Sequence, residues 1–562
     1  MVGPAFALAL SLLIGVPVAY LAATSFQAAG GGWTLGNYVE LLSDPSMVRP
    51  FVLTMWISAA VAVACLLVAA PLGWLCARTD LPYRRLMRGQ VIASFVTPPF
   101  VGAIAWEILA APNAGLLNQW YRSLFHLERS VHLFNIYSIG GLIFVNFLYT
   151  FPIVFVLIHT ALERIPADME EASANLGART LTTLTRITFP LIVPALTAGA
   201  IVSFLQSMTV FGSAAIITLP AGFHTMTTRI WSLFQFPPKP GLAAAAALPM
   251  IGISAGLLWT QQRFMGRRSY AVLEGKGGRR RQTRLGWWRW PALSLGAMVL
   301  ACSIFFPYAA LVKAAIARVV TEPLGPDNLT LKHVTFVFGG LSETRQALEH
   351  TFVLGLGAAT IGLVVATIVG YFSVRRAVWG AGALRFIATT PLAIPSIVLG
   401  VGLFLAYTRP PVILYGTLWI LLLAYVTIEL PGAFLQIEAG LRTVDPDLEN
   451  AGRTLGVRRM RVLWDVTLPL LRGGIVACWC FVFIGAIREI SASIMLFTAQ
   501  TNVVSVLIYD LNESGDIGDI AVLSIALLLV SFAVVGLAIR LGAKERGSAE
   551  MISGSSTSLS RA

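Results

Sequence analysis

The sequence predicts an all-α polytopic membrane protein, with about twelve transmembrane helices in two parallel six-helix repeats. Three observations predict it. The 562 residues are 57% hydrophobic and only 12% charged, with mean hydropathy +0.77, whereas a soluble domain carries about 25% charged residues. Apolar runs of membrane-crossing length recur along the chain between Arg-rich loops and Gly- or Pro-rich loops. One polar stretch occurs twice at a constant offset of 279 residues, which marks an internal duplication.

Taken in order, the run Pro4–Leu21 reads as the first helix, since no basic residue precedes it and further spans follow. The polar stretch Thr24–Arg49 is placed outside. Spans two to four lie near Phe51–Leu75, Val91–Ala111 and Tyr137–Thr160; the third contains Pro98 and Pro99. Arg78, Arg84, Arg85 and Arg88 follow span two and mark a cytoplasmic loop. Spans five and six lie near Leu191–Leu219 and Gly241–Gln261, completing a first half at 1–261. A basic cytoplasmic linker, 262–289, comes next. Residues 261–290 hold nine Lys or Arg and one Glu, so +8 of the net +13 sits there. That balance fits positive-inside loops and needs no nucleic acid.

The second half, 290–545, repeats the plan with spans near Trp290–Ala310, Thr351–Val374, Leu384–Tyr407, Ile413–Gln436, Leu470–Phe497 and Ile517–Leu541. Arg375 and Arg376 echo the first Arg-rich loop, and Thr390-Pro391 with Pro395 echoes Thr97-Pro98-Pro99. Six spans per half give both halves one orientation, as parallel repeats. The Ser-rich end, 546–562, reads as disordered.

The repeated stretch runs from Asp168 to Pro190 and from Asp447 to Pro469, inside the loops 162–190 and 438–469. Glu170 matches Glu449, Ala172 matches Ala451, Gly177 matches Gly456, Thr188 matches Thr467 and Pro190 matches Pro469. The pattern predicts a short helix, a turn and a second helix. Asp168 is the expected N-cap, with Glu171 at capping-box spacing. Met169, Ala172 and Leu176 form one narrow apolar face. Gly177 and Gly456 stand where a left-handed residue ends a helix. Pro190 closes the segment before the next apolar run. Asn450 replaces the box Glu in the second copy, which weakens that cap. The bland alternative is a helical hairpin without a partner.

The order Glu-Ala-Ala, three residues, Gly, nine residues, Ile, one residue, Leu-Pro is the cytoplasmic signature of membrane subunits of ABC importers. Glu171-Ala172-Ser173, Gly177, Ile187 and Phe189-Pro190 resemble it at every spacing. Asn450-Ala451-Gly452, Gly456, Val466 and Leu468-Pro469 resemble it more loosely. The resemblance extends over nearly the whole chain. It implies that Glu170, Glu171, Ala172, Gly177, Pro190, Glu449, Ala451, Gly456 and Pro469 dock a separate cytoplasmic ABC ATPase dimer. It also implies an external or periplasmic substrate-binding protein, alternating access, and residence in the inner membrane. Phe211-Gly212-Ser213, Leu219-Pro220-Ala221-Gly222-Phe223, Thr227 to Trp231, and Tyr270 to Gly278 look like the ferric-iron branch. Permeases for phosphonates, polyamines, sulfate and thiamine share much of the pattern.

At the 279 offset Thr209-Val210 matches Arg488-Glu489. An ionisable residue at mid-membrane costs at least about 2.5 kcal/mol on insertion scales, so it faces protein or water. Arg488, Glu489, Thr209 and Phe211 are therefore candidate pathway or gate residues; paired neighbours are the structural alternative. No Gly-x-x-x-x-Gly-Lys-Ser/Thr loop is present, so the chain brings no ATPase of its own. The six histidines form no i, i+4 ligand pair, and the five cysteines show neither redox nor zinc spacing. We read no metal site, no cofactor and no catalytic constellation. A self-sufficient secondary transporter leaves the repeated motif unexplained.

Overall fold

The computed structural model describes residues 2–28, 30–267, 283–376 and 380–559. The basic tract 268–282, with the Tyr270–Gly278 marker inside it, lies outside the described residues, as do 560–562. Among the described residues every regular element is a helix. Among the described residues ten helices are long and apolar enough to cross a membrane, and twelve spans result if each of two bent pairs counts as one.

The bent pairs are the third span of each sequence half. Arg84–Val96 meets Pro99–Ala110 at 98°, and Ala381–Ala393 meets Ser396–Tyr407 at 104°. Proline explains both breaks. A residue before Pro avoids the helical region, and Thr97 (ψ 122°) and Ile394 (ψ 114°) are both extended there. The spans expected over 91–111 and 384–407 are thus sharply angled.

The fifth spans differ from expectation in the opposite sense. Pro190 does not close the motif. Thr180–Thr209 is one span, and so is Arg459–Ile487. Each passes its proline through a π turn, Leu184–Thr188 or Leu463–Thr467. Proline lacks the N–H that an α-helix would use, and the wider turn absorbs the defect. The amides of Phe189 and Leu468 then bond five residues back, to Leu184 and Leu463. These spans also end early, at Thr209 and Ile487, and short helices Gly212–Thr218 and Ser493–Leu496 follow the breaks. The final helix runs Ile517–Leu559, its membrane-length part being Ile517–Ala538. It takes in 546–559, where composition predicts disorder; no proline interrupts it.

Contacts divide the chain into two compact units. One comprises Ser25–Val337 and Leu511–Ile525; the other comprises Met1–Thr24, Phe338–Asp510 and Ala526–Ala562. The first span of each sequence half therefore packs in the unit built from the other half. In one unit Trp106 Nε1 donates to Cys302 O (3.1 Å), and Thr97 Oγ1 and Tyr308 Oη lie 2.6 Å apart. In the other, Gly402 lies against the Pro17 backbone, and an added Cβ would come 2.8 Å from its carbonyl oxygen.

Candidate functional site

Both copies of the repeated motif fold alike. The first forms the helix Ala167–Asn175 and the second Pro446–Thr454. Each ends as its glycine predicts, with Gly177 at φ +79° and Gly456 at φ +81°. The amides of Ala178 and Val457 reach back to the carbonyls of Ser173 and Gly452, closing the ends in Schellman fashion. The expected starts need correction. Both helices begin before the matched aspartates, so Asp168 and Asp447 sit inside the first turn. The second helix is capped by Asp445, which accepts from the Asp447 amide at 3.0 Å, with Pro446 next. The first copy has Pro166 at the equivalent of Asp445.

The apolar face turns outward in both copies. Leu176 is 88% exposed and Leu455, its equivalent, 84%. Met169 and Leu448, then Leu181 and Met460, repeat the exposure at the same offset. Ala172 and Ala451 are exposed between them. Leaving large apolar side chains in water at matched positions is costly unless something covers them. Glu171, at the signature's Glu position, is partly exposed and carries no ion pair among the described residues.

Glu170 and Glu449 behave differently, for their carboxylates turn inward. Thr188 Oγ1 donates to Glu170 Oε1 (2.9 Å), and Arg78 Nε lies 3.6 Å from the same oxygen. Thr467 Oγ1 donates to Glu449 Oε1 (3.0 Å), and Arg375 Nε donates to it at 2.9 Å. The arginines also cap the preceding span. Arg78 Nη2 donates to Ile165 O (3.0 Å), and Arg375 Nη2 donates to Val444 O (2.8 Å). Ile165 and Val444 are equivalent at 279, while the arginines match at 297, from 78 to 375. Each arginine thus joins the end of span two, the end of span four and the motif helix, whose Glu also holds the start of span five.

A second Arg–Glu pair recurs nearby, its arginines again at an offset of 297. Arg88 pairs with Glu163 at 3.2 Å, and Arg385 with Glu438 at 3.2 Å. The acid moves by one turn between copies. His159 stands at the equivalent of Glu438, and Arg442 at that of Glu163.

The breaks after span five are chemically unlike. In one unit Thr209 bonds only locally, to Gln206 O (3.3 Å), and Phe211 is fully buried against Trp231. Asn146 and Ser213 pair at 2.7 Å. In the other unit Arg488 ends the helix, and Glu489 Oε1 accepts the Ala492 amide at 3.0 Å, just ahead of the short helix. Arg488 lies in the field of both Glu489 and Glu429. All three are half-buried. Tyr425, equivalent to Asn146, bonds Ser493 at 2.7 Å.

With this geometry in hand, the model of the family "binding-protein-dependent transport system inner membrane component" matches residues 15–270 and 358–542. The chain belongs to that family. It is a multi-pass inner-membrane protein and the permease subunit of an ABC importer. It is 27% identical over 464 residues to the ferric transport system permease protein FbpB of Actinobacillus pleuropneumoniae, covering 81% of this chain and 66% of that protein. It is 22% identical over 543 residues to the Fe(3+)-transport system permease protein FbpB 2 of Haemophilus influenzae, covering 93% and 95%. It is 29% identical over 260 residues to a putative 2-aminoethylphosphonate transport system permease protein, PhnV, of Salmonella paratyphi A, covering 45% and 96%.

Family membership implies, in general terms, a substrate-binding protein and an ATPase as the permease's partners. The structure brings Glu170, Glu171, Ala172 and Gly177 onto one short helix and its cap, and Glu449, Ala451 and Gly456 onto the other. Pro190 and Pro469 fall one turn into the following spans. Thr209 and Phe211 belong to one unit, Arg488 and Glu489 to the other. Sequence reasoning missed Glu429 and the four residues that hold Glu170 and Glu449: Arg78, Thr188, Arg375 and Thr467. A carboxylate inside the span Leu418–Thr443 is a readable signal for Glu429.

Proposed function

We propose that this permease takes its power stroke from a separate cytoplasmic ATPase dimer, through its two motif helices, and that its cargo is ferric iron. The observation that carries the first part is the matched exposed face, Met169, Leu176 and Leu181 on one copy and Leu448, Leu455 and Met460 on the other. Two outward apolar faces at one offset suit a partner that is itself two-fold. Docking there puts force on a helix that leads, through a tight Gly turn, directly into a fifth span. ATP-driven closure then shifts the permease between inward and outward states, in proportion to the ATPase's differential affinity for them. Glu171, Ala172 and Ala451 line this contact, Gly177, Gly456, Pro190 and Pro469 shape the hairpins that present it, and Glu170 and Glu449 stand on the inner side of the same helices. In this reading the two six-helix halves are parallel repeats, and a substrate-binding protein delivers cargo outside.

Ferric iron rests on the names of two relatives that align along most of this chain. The phosphonate permease relative supports a second reading, an organophosphonate cargo. At the break in one unit, Arg488 and Glu489, with Glu429, are pathway or gate residues; at the break in the other, Thr209 and Phe211 are. The test is co-purification with a candidate ABC ATPase. Leu176→Glu with Leu455→Glu should abolish capture while the permease alone keeps its thermal stability. Undiminished capture would contradict the docking assignment. Uptake of radiolabelled ferric iron against 2-aminoethylphosphonate separates the cargoes.

A further inference from the structure

We infer that Glu170 and Glu449 are not ATPase contacts but latches that grip each motif helix from inside and carry its displacement into the spans. This rests on the docking reading above and deepens it. On the same short helix, Met169 and Leu176 face outward while the Glu170 carboxylate meets Thr188 and Arg78. The second copy repeats this with Leu448 and Leu455 outward and Glu449 on Thr467 and Arg375.

Geometry gives the latch its reach. Each Glu is eighteen residues before its Thr, across the Gly turn and the short second limb, so the bond closes the hairpin onto the base of span five. Each Arg ties the same carboxylate to the ends of spans two and four. A helix held only by apolar packing slides when pulled. A helix held by a charge-assisted bond to the base of its neighbours moves them with it. Arg78 and Arg375 have almost no exposed side-chain surface, at 4% and 9%. The pairs are thus shielded from the screening that makes surface ion pairs weak.

The two latches are unequal. The Arg–Glu separation is 3.6 Å in the first copy and 2.9 Å in the second. In the second, Tyr371 Oη also donates to Glu449 Oε2 (3.3 Å), and Arg459 Nε donates to Tyr371 Oη (3.3 Å) with its guanidinium over the ring. The first copy has Trp74 and Thr180 at those positions, which supply neither the phenol nor the guanidinium. The second motif helix is therefore the more firmly coupled, and the two ATPase contacts are not interchangeable.

The test uses the full transporter, permease with its ATPase and binding protein, in proteoliposomes. Its readout is cargo moved per ATP hydrolysed. Loss of folded permease lowers transport and hydrolysis together and leaves this ratio unchanged. The double variant Arg375→Gln/Glu449→Gln removes both charges and so leaves no lone buried ion. We expect ATPase stoichiometry to stay at the wild-type level and the ratio to fall by about tenfold, within the range of coupling mutations. Arg78→Gln/Glu170→Gln should lower it by a smaller factor. Thr467→Val keeps the ion pair and cuts only the tie to span five. It should lower the ratio by about threefold, and it serves if the double variant does not assemble. An unchanged ratio in Thr467→Val and in the assembled double variant overturns the latch. Loss of ATPase binding in the double variant with an assembled permease also overturns it, making Glu449 a contact. Equal effects in the two copies overturn the asymmetry. Failure of the wild-type permease to bind any ATPase is the separate outcome that defeats the docking reading itself.

Discussion

The carboxylate of Glu429 occupies the space that a Cβ on Gly485 would fill. Spans four and five of the second half approach closely because one of them has no side chain there. The equivalent positions of the first half are Thr150 and Gln206, a short side chain on span four and a long one on span five. The duplication kept the backbone and exchanged which span carries the long polar group. Gly485→Ala should push Glu429 off the helix, at about 1–3 kcal/mol, and reduce uptake in proportion. Gly474→Ala, on the same helix with open space around its Cβ, is the control and should be silent. Uptake normalised to inserted protein checks both.

Glu489→Gln separates the backbone bond from the charge. The amide oxygen still accepts the Ala492 amide, so the segment between the break and the short helix Ser493–Leu496 keeps that bond. What disappears is the negative charge beside Arg488. We expect normal insertion and ATPase binding with impaired uptake. Unimpaired uptake would remove Arg488 and Glu489 from the pathway.

At Gly177 and Gly456 the turn demands a left-handed residue, and no heavy atom lies within 4 Å of an added Cβ. Substitution effects there are backbone effects alone. Gly456→Ala should destabilise the hairpin by about 1–2 kcal/mol and weaken ATPase capture. Gly456→Asn, which tolerates this region better, should lose less. A thermal-shift series with capture measured in parallel reads both quantities.

Pro190 and Pro469 set the phase between each motif and its span. Restoring the N–H in Pro469→Ala lets the π turn Leu463–Thr467 relax to α-helix. The span then turns relative to Glu449 and Thr467, stretching their 3.0 Å bond. The variant should insert normally and move less cargo per ATP. An unaltered ratio would show that the π turn is incidental.

The spans are legible because membrane helices announce themselves by length and hydropathy, and the motif because its polar residues keep one offset. The sharp features are not. Pro98, Pro99 and Pro395 stand out in the sequence, yet only packing decides between a kink and a bend near 100°. Pro190 and Pro469 read as terminators, since a π turn leaves no pattern of its own. The inward turn of Glu170 and Glu449 is hidden because Arg78 and Arg375 match at 297 rather than 279. Loops of different length between spans two and four break the register there. Asp445 escapes notice as a cap because Pro166 hides its equivalent in the first copy.

Native mass spectrometry of the assembled transporter tests the central claim most directly. Two exposed motif faces on one chain predict two ATPase subunits per permease, both lost in Leu176→Glu/Leu455→Glu and one retained when either face alone is altered. A permease that carries cargo into vesicles with no ATPase bound and no ATP present would contradict the account.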